Sequence, residues 1–175
     1  GEGTLQFNTT GSWNLAIGTG ALYGNTTGFS NISLGYQALY NNNYGNSNIG
    51  IGSQALAQGT SAQCNIAIGD QALNLATGCG NVSIGVYSSI CLGGGGCNVA
   101  VGLQALKCAT STINNVAIGA NTLCQLTTGC NNVAIGFGAS GLTTTGCNNI
   151  SIGTIAAYGN TTGADNIAIG YAAYT

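Results

Sequence analysis

A chain of 175 residues with one basic side chain, three acidic ones and no His departs from an ordinary globular domain, in which about a quarter of the residues are charged. It offers no basic footprint for nucleic acid or an anionic membrane, and no stretch reaches the ~20 consecutive apolar residues of a membrane span, so no nucleic-acid partner and no membrane insertion are expected. Lys107, Glu2, Asp70 and Asp165 stand far apart along the chain, which gives acid–base or nucleophilic catalysis no pair to work with; no enzyme activity, cofactor or metal is expected.

In chain order, the first segment, GEGTLQFNTTG, aligns with GTGALYGNTTG at 18–28. It starts at a glycine column, partway through a repeat. The first complete element follows at Asn14-Leu15-Ala16-Ile17-Gly18, and the pattern Asn-apolar-small-apolar-Gly then recurs to the end. Its Asn residues are Asn14, Asn31, Asn48, Asn65, Asn81, Asn98, Asn115, Asn132, Asn149 and Asn166; the spacing is 17 throughout except for 16 between Asn65 and Asn81. Its glycines are Gly18, Gly35, Gly52, Gly69, Gly85, Gly102, Gly119, Gly136, Gly153 and Gly170. Apolar residues two apart share one face of a strand, so pairs such as Leu15/Ile17 and Ile66/Ile68 are expected to face the core, with Ala16, Ser33, Gly50 and their equivalents on the opposite, closely approachable face. Each glycine is suited to a tight corner.

After each corner comes a short segment such as Gln37-Ala38-Leu39 or Gln104-Ala105-Leu106. Its Leu column (Leu22, Leu39, Leu56, Leu73, Leu106, Leu123) is expected to close the core against the apolar pairs. A turn rich in Asn, Thr and Gly completes the repeat. Helical repeats need about 33 residues or more, and Gly, Asn and Thr are poor helix formers. The fold predicted is therefore all-β: one parallel β-solenoid, or β-roll, over residues 1–175, with about ten turns of 17 residues and no second domain. Stacked at the ~4.8 Å spacing of paired strands, it forms a rod on the order of 48 Å long. The Asn column stacks as an amide ladder along the axis or supports each turn locally; both readings are structural.

One stretch imitates another device. NNVAIGFGASG at 131–141 contains a literal G-x-G-x-x-G after an apolar run. A dinucleotide site needs a helix after the glycines and an acid about 20 residues on. The next segment is LTTTGCNNISIG, another turn of the repeat.

Eight cysteines, Cys64, Cys79, Cys91, Cys97, Cys108, Cys124, Cys130 and Cys147, follow the repeat. No C-x-x-C occurs, and an even count in a low-charge chain points to disulfides and an oxidising compartment. Aligned cysteines in adjacent turns fall within the ~4.4–6.8 Å Cα range of a disulfide. Cys130–Cys147, Cys91–Cys108 and Cys64–Cys79 are the inter-turn candidates; Cys91–Cys97 and Cys124–Cys130 compete within loops, and bonds between subunits are a further option. Glycosylation sequons place possible glycans at Asn8, Asn25 and Asn160 on the polar turn, while Asn31, Asn81 and Asn149 belong to the ladder column. The absence of an initiating Met and of a visible signal peptide suggests a mature or trimmed product.

NNVAIGFGA, NIAIGYAAY and NISLGYQALYNNN resemble the repeats of trimeric autotransporter adhesin heads and of phage tail-fibre and bacterial surface-fibre proteins, over nearly the whole chain. The resemblance implies a parallel β-roll on an extracellular fibre, cell surface or virion fibre, often trimeric. The function expected is a structural, self-assembling filament, fibre or sheath subunit whose only partner is itself. Its copies stack head to tail, because both ends fall partway through a turn and open edges invite pairing. The alternative is an adhesin head or tail-fibre module that binds surface glycans, with Trp13, Tyr23, Tyr36, Tyr40 and Tyr44 as its aromatic patch. Ice binding through Thr arrays is a weaker third reading, because the column breaks at Asn43-Tyr44 and Gly93-Gly94.

Overall fold

The computed structural model describes residues 1–174. Ten three-residue strands, β1 (Leu15–Ile17), β2 (Ile32–Leu34), β3 (Ile49–Ile51), β4 (Ile66–Ile68), β5 (Val82–Ile84), β6 (Val99–Val101), β7 (Val116–Ile118), β8 (Val133–Ile135), β9 (Ile150–Ile152) and β10 (Ile167–Ile169), form one sheet. They pair in parallel in chain order. Every pairing joins equivalent residues, such as Leu15 to Ile32 and Val133 to Ile150. The 16-residue spacing does not break the register, since Ile66 still pairs with Val82. The chain is one parallel β-solenoid of about ten turns, and the described residues contain no helix.

The sides of each strand are reversed from the sequence expectation. The small middle residue points inward: Ala67, Ala100 and Ala117 are wholly buried, as are Ser33 and Ser151. The flanking Ile, Val and Leu residues point outward and are half-buried or exposed. The reason is volume. The Leu column is buried as expected, and Leu22, Leu39, Leu56, Leu73, Leu106 and Leu123 fill the interior. The strand opposite can therefore carry only a methyl, a hydroxymethyl or nothing. At Gly50 even a methyl would lie 3.0 Å from the Leu39 Cγ.

The Gln-Ala-Leu segment is not a strand. Gln37, Leu39, Gln54 and Leu56 all adopt left-handed backbone, with φ from 51° to 53°. That conformation costs an L-residue about 1–2 kcal/mol. It is held by bonds to neighbouring turns: the N–H of Leu39 donates to Ala55 O (2.9 Å) and that of Gln37 to Thr19 O (2.9 Å). At the corner that follows each strand, Gly136 sits at φ 130°, and a Cβ there would lie 2.5 Å from Gly153 O. Only glycine fits this column.

Candidate functional site

The chemistry of this chain is distributed along columns. In the first, each Asn side chain bonds along the axis. Oδ1 of Asn98 accepts both the backbone N–H (3.0 Å) and Nδ2 (3.1 Å) of Asn115, and Asn115 Nδ2 also donates to Gly129 O of the following turn (3.0 Å). The same pattern links Asn14 to Asn31 and continues to Asn149 and Asn166. All but the two end members are buried. Of the two structural readings, the axial ladder dominates.

A second polar column was not singled out in the sequence. Asn25 and Asn42 are wholly buried, and Asn160 is 8% exposed. Their Nδ2 groups donate to Gly28 O, Gly45 O and Gly163 O, and Asn25 Nδ2 also reaches Asn8 Oδ1 (2.7 Å). The 17-residue alignment of Asn8, Asn25 and Asn42 was the available signal. Between the ends the column turns apolar, with Leu92 and Leu126 buried in it. This corrects the expected accessibility of two glycosylation candidates. Asn25 and Asn160 face inward with their amide nitrogens engaged, while Asn25 Oδ1 is buried without a partner; Asn8 alone is exposed.

The threonines of the polar turn form a third column. Thr9, Thr26, Thr110, Thr127 and Thr144 each donate the hydroxyl to a carbonyl of the next turn, at 2.8–3.1 Å. Their hydrogens are committed to the array.

All eight cysteines are free thiols in this structure. Cys64, Cys79, Cys91 and Cys97 are exposed, and Cys108, Cys124, Cys130 and Cys147 are partly buried. Cys130 and Cys147 are brought together: the backbone N–H of Cys130 donates to Cys147 Sγ at 3.0 Å. That hydrogen-bonded neighbour, with burial and the charge of a Cys147 thiolate, raises the Cys130 pKa above the ordinary 9.0. Burial raises that of Cys124 as well, with Cys108 adding to it; the Cys124 thiol donates to Gly141 O (3.3 Å). Cys91 donates its N–H to Lys107 O (3.3 Å) and so lies beside Cys108. Cys79 pairs with Gln63, one residue out of line with Cys64, and its carbonyl accepts from Cys97 N–H (3.0 Å). No three metal-ligating side chains gather among the described residues.

The aromatic residues divide. Tyr23 and Tyr40 stack in parallel with centroids 4.8 Å apart, and Phe7 meets Tyr23 edge-on at 4.9 Å. Trp13, Tyr36 and Tyr44 are exposed, Trp13 by 84%. An open depression of about 280 Å³ lies beside Glu2, Gln6, Tyr23, Tyr36 and Tyr40, and another of about 350 Å³ beside Asn160, Thr162 and Tyr174. On the outward strand face, two apolar columns run the length of the sheet. No family model, curated protein or solved structure matches this chain.

Proposed function

We propose that this protein is a structural, self-assembling subunit of an extracellular fibre, filament or sheath, whose copies stack head to tail along the solenoid axis. The observation that carries this reading is the sameness of the nine strand pairings, each joining equivalent residues in one register. An interface that works nine times within the chain supplies the bonding chemistry for β10 of one copy to pair with β1 of the next; residues 170–174 and 1–5 fill the same half-turn of the repeat, so one of these two segments swings aside at the junction. The Asn ladder extends across such a junction by the same rule, because Asn166 Oδ1 is placed as every other rung is, to accept from an Asn in the turn that follows. Edges of this kind pair readily.

Two compositional features suit an exposed, durable assembly. A single Lys and no Arg leave trypsin-like proteases almost nothing to cut, and minimal charge leaves little to oppose association. Disulfides at Cys130–Cys147 and Cys91–Cys108 would staple neighbouring turns in an oxidising compartment. No catalytic role is assigned.

The test is negative-stain microscopy of the purified chain with and without reductant. Rods many times the ~48 Å of one copy are expected in both conditions, with greater resistance to heat when oxidised. Dispersed single rods in both would overturn head-to-tail stacking. The second reading, a glycan-binding adhesin or tail-fibre module, draws on the exposed Trp13, Tyr36 and Tyr44 near the first turns; binding on a glycan array that is lost in Trp13→Ala would favour it. Ice binding is the weakest reading, because the Thr hydroxyl hydrogens are already donated within the array.

A further inference from the structure

We infer that the outward Ile/Val/Leu face of the sheet is a self-docking surface, on which a second copy of this chain packs face to face. Ten strands each present two apolar side chains outward. None of these residues is charged or polar. Even in the middle of the array Ile84, Ile118 and Ile135 stay 37–39% exposed. At the corner beyond the strands Val86, Leu103 and Phe137, exposed by 41%, 49% and 56%, widen the strip locally, while Ser53, Asp70 and Thr154 hold the same corner position in other turns and bound it there. Soluble monomers rarely show contiguous apolar patches beyond a few hundred Å². The twenty outward side chains of the ten strands match the ~20–30 residues a side of a standard interface.

The chemistry of the face selects its occupant. A partner with charged groups would bury them with nothing to pair against. A partner with irregular relief would leave gaps between rungs repeating every ~4.8 Å. A second copy brings the same uncharged surface with the same repeat, so its side chains interdigitate along the whole length in the manner of a dry zipper. Two sheets packed this way lie ~10 Å apart. A twofold axis makes the contact self-complementary and closes it at two copies. The contact runs sideways and is independent of head-to-tail stacking.

The experiment uses the full chain in reductant, so that no disulfide contributes, with sedimentation and negative-stain microscopy as readouts. Wild type is expected to form pairs two rods thick; axial stacking instead lengthens a single rod, so the two contacts are separable. A variant carrying Ile68→Lys, Val101→Lys and Ile135→Lys on the face is expected to lose pairing by at least 100-fold in dissociation constant. A control of equal charge on exposed turn positions, Gln58→Lys, Gln125→Lys and Thr145→Lys, is expected to pair as wild type does. Should the face-Lys variant misfold, Val82→Thr, Val99→Thr and Val116→Thr change polarity at nearly constant shape, and are expected to weaken pairing about 10-fold with the circular dichroism unchanged. The inference is overturned by single-thickness wild-type rods at micromolar concentration, by a three-copy mass, by pairing that survives both face variants, or by equal loss in the control. Flotation of single rods with neutral lipid vesicles would overturn it too, by assigning the face to a membrane surface.

Discussion

At the scale of a residue, what matters is that each side chain is one rung of a column, so its removal affects both neighbours. In Asn115→Ala, the backbone N–H and Nδ2 of Asn132 lose their acceptor, Gly129 O loses its side-chain donor, and Asn98 Oδ1 keeps only the backbone N–H of residue 115. Buried groups left unpaired cost about 1–3 kcal/mol each. We expect Asn115→Ala to lower stability in urea by about 3 kcal/mol or more, and Asn14→Ala, at a partly exposed end rung, by clearly less. Gly136→Ala meets two penalties at once, a left-handed φ of 130° and the carbonyl of Gly153. About 3 kcal/mol or more is expected in the same measurement. The thiols respond to pH. With their pKa values raised, Cys124 and Cys130 carry less thiolate below pH 9 than an ordinary Cys. Iodoacetamide should therefore modify them last, and mass spectrometry across a pH series should show their labelling displaced upward. A raised folded-state pKa stabilises the neutral fold. The contribution of both thiols is thus complete below the ordinary thiol value of 9.0 and is lost as pH rises through the raised values.

At the scale of an element, the repeat period, the strand positions and the corner glycines could be read directly, because a 17-residue recurrence leaves little freedom in placing them. Which side of the strand faces inward could not. Alternation alone leaves the two faces equivalent, and the usual preference for burying large apolar residues picks the wrong one here. The deciding quantity is interior volume: Leu39 and its equivalents already occupy it, so Ser33 and Gly50 must face them. The left-handed backbone at Gln37 and Leu39 was hidden for a similar reason. Local preference disfavours it, and the inter-turn bonds that hold it exist only once turns are stacked. The inverted faces give opposite expectations for adjacent residues. Ala134→Leu overfills the core and should cost about 1–3 kcal/mol, whereas Val133→Thr on the outer face should change stability by less than about 0.5 kcal/mol. Denaturation of the two variants side by side decides it. A larger cost for Val133→Thr would return the apolar pairs to the interior.

At the scale of the whole molecule, the array is one-dimensional: each turn contacts the turns before and after it, and stability is a sum over such interfaces. Its length is therefore adjustable in whole turns and in nothing smaller. Removing residues 99–115 joins Asn98 to Val116 and restores the motif Asn-Val-Ala-Ile-Gly. The Asn98 and Asn132 rungs become neighbours with the ladder intact, and β5 pairs with β7 through side chains of the same kind. We expect this deletion to fold, to keep its circular dichroism signature, and to be one ~4.8 Å rung shorter. Removing residues 103–110 is a smaller cut but a more damaging one. It takes Leu106, which fills the core, and Gln104, whose left-handed backbone is held by Val86 O (3.0 Å). The turn that remains is too short to span the corner and return. Hydrogen exchange should then show protection lost at that turn, with the Asn98–Asn115 bonds broken. If both deletions fold equally well, the turns are not the units in which this protein is stabilised, and assembly by adding turns at its ends would lose its physical basis.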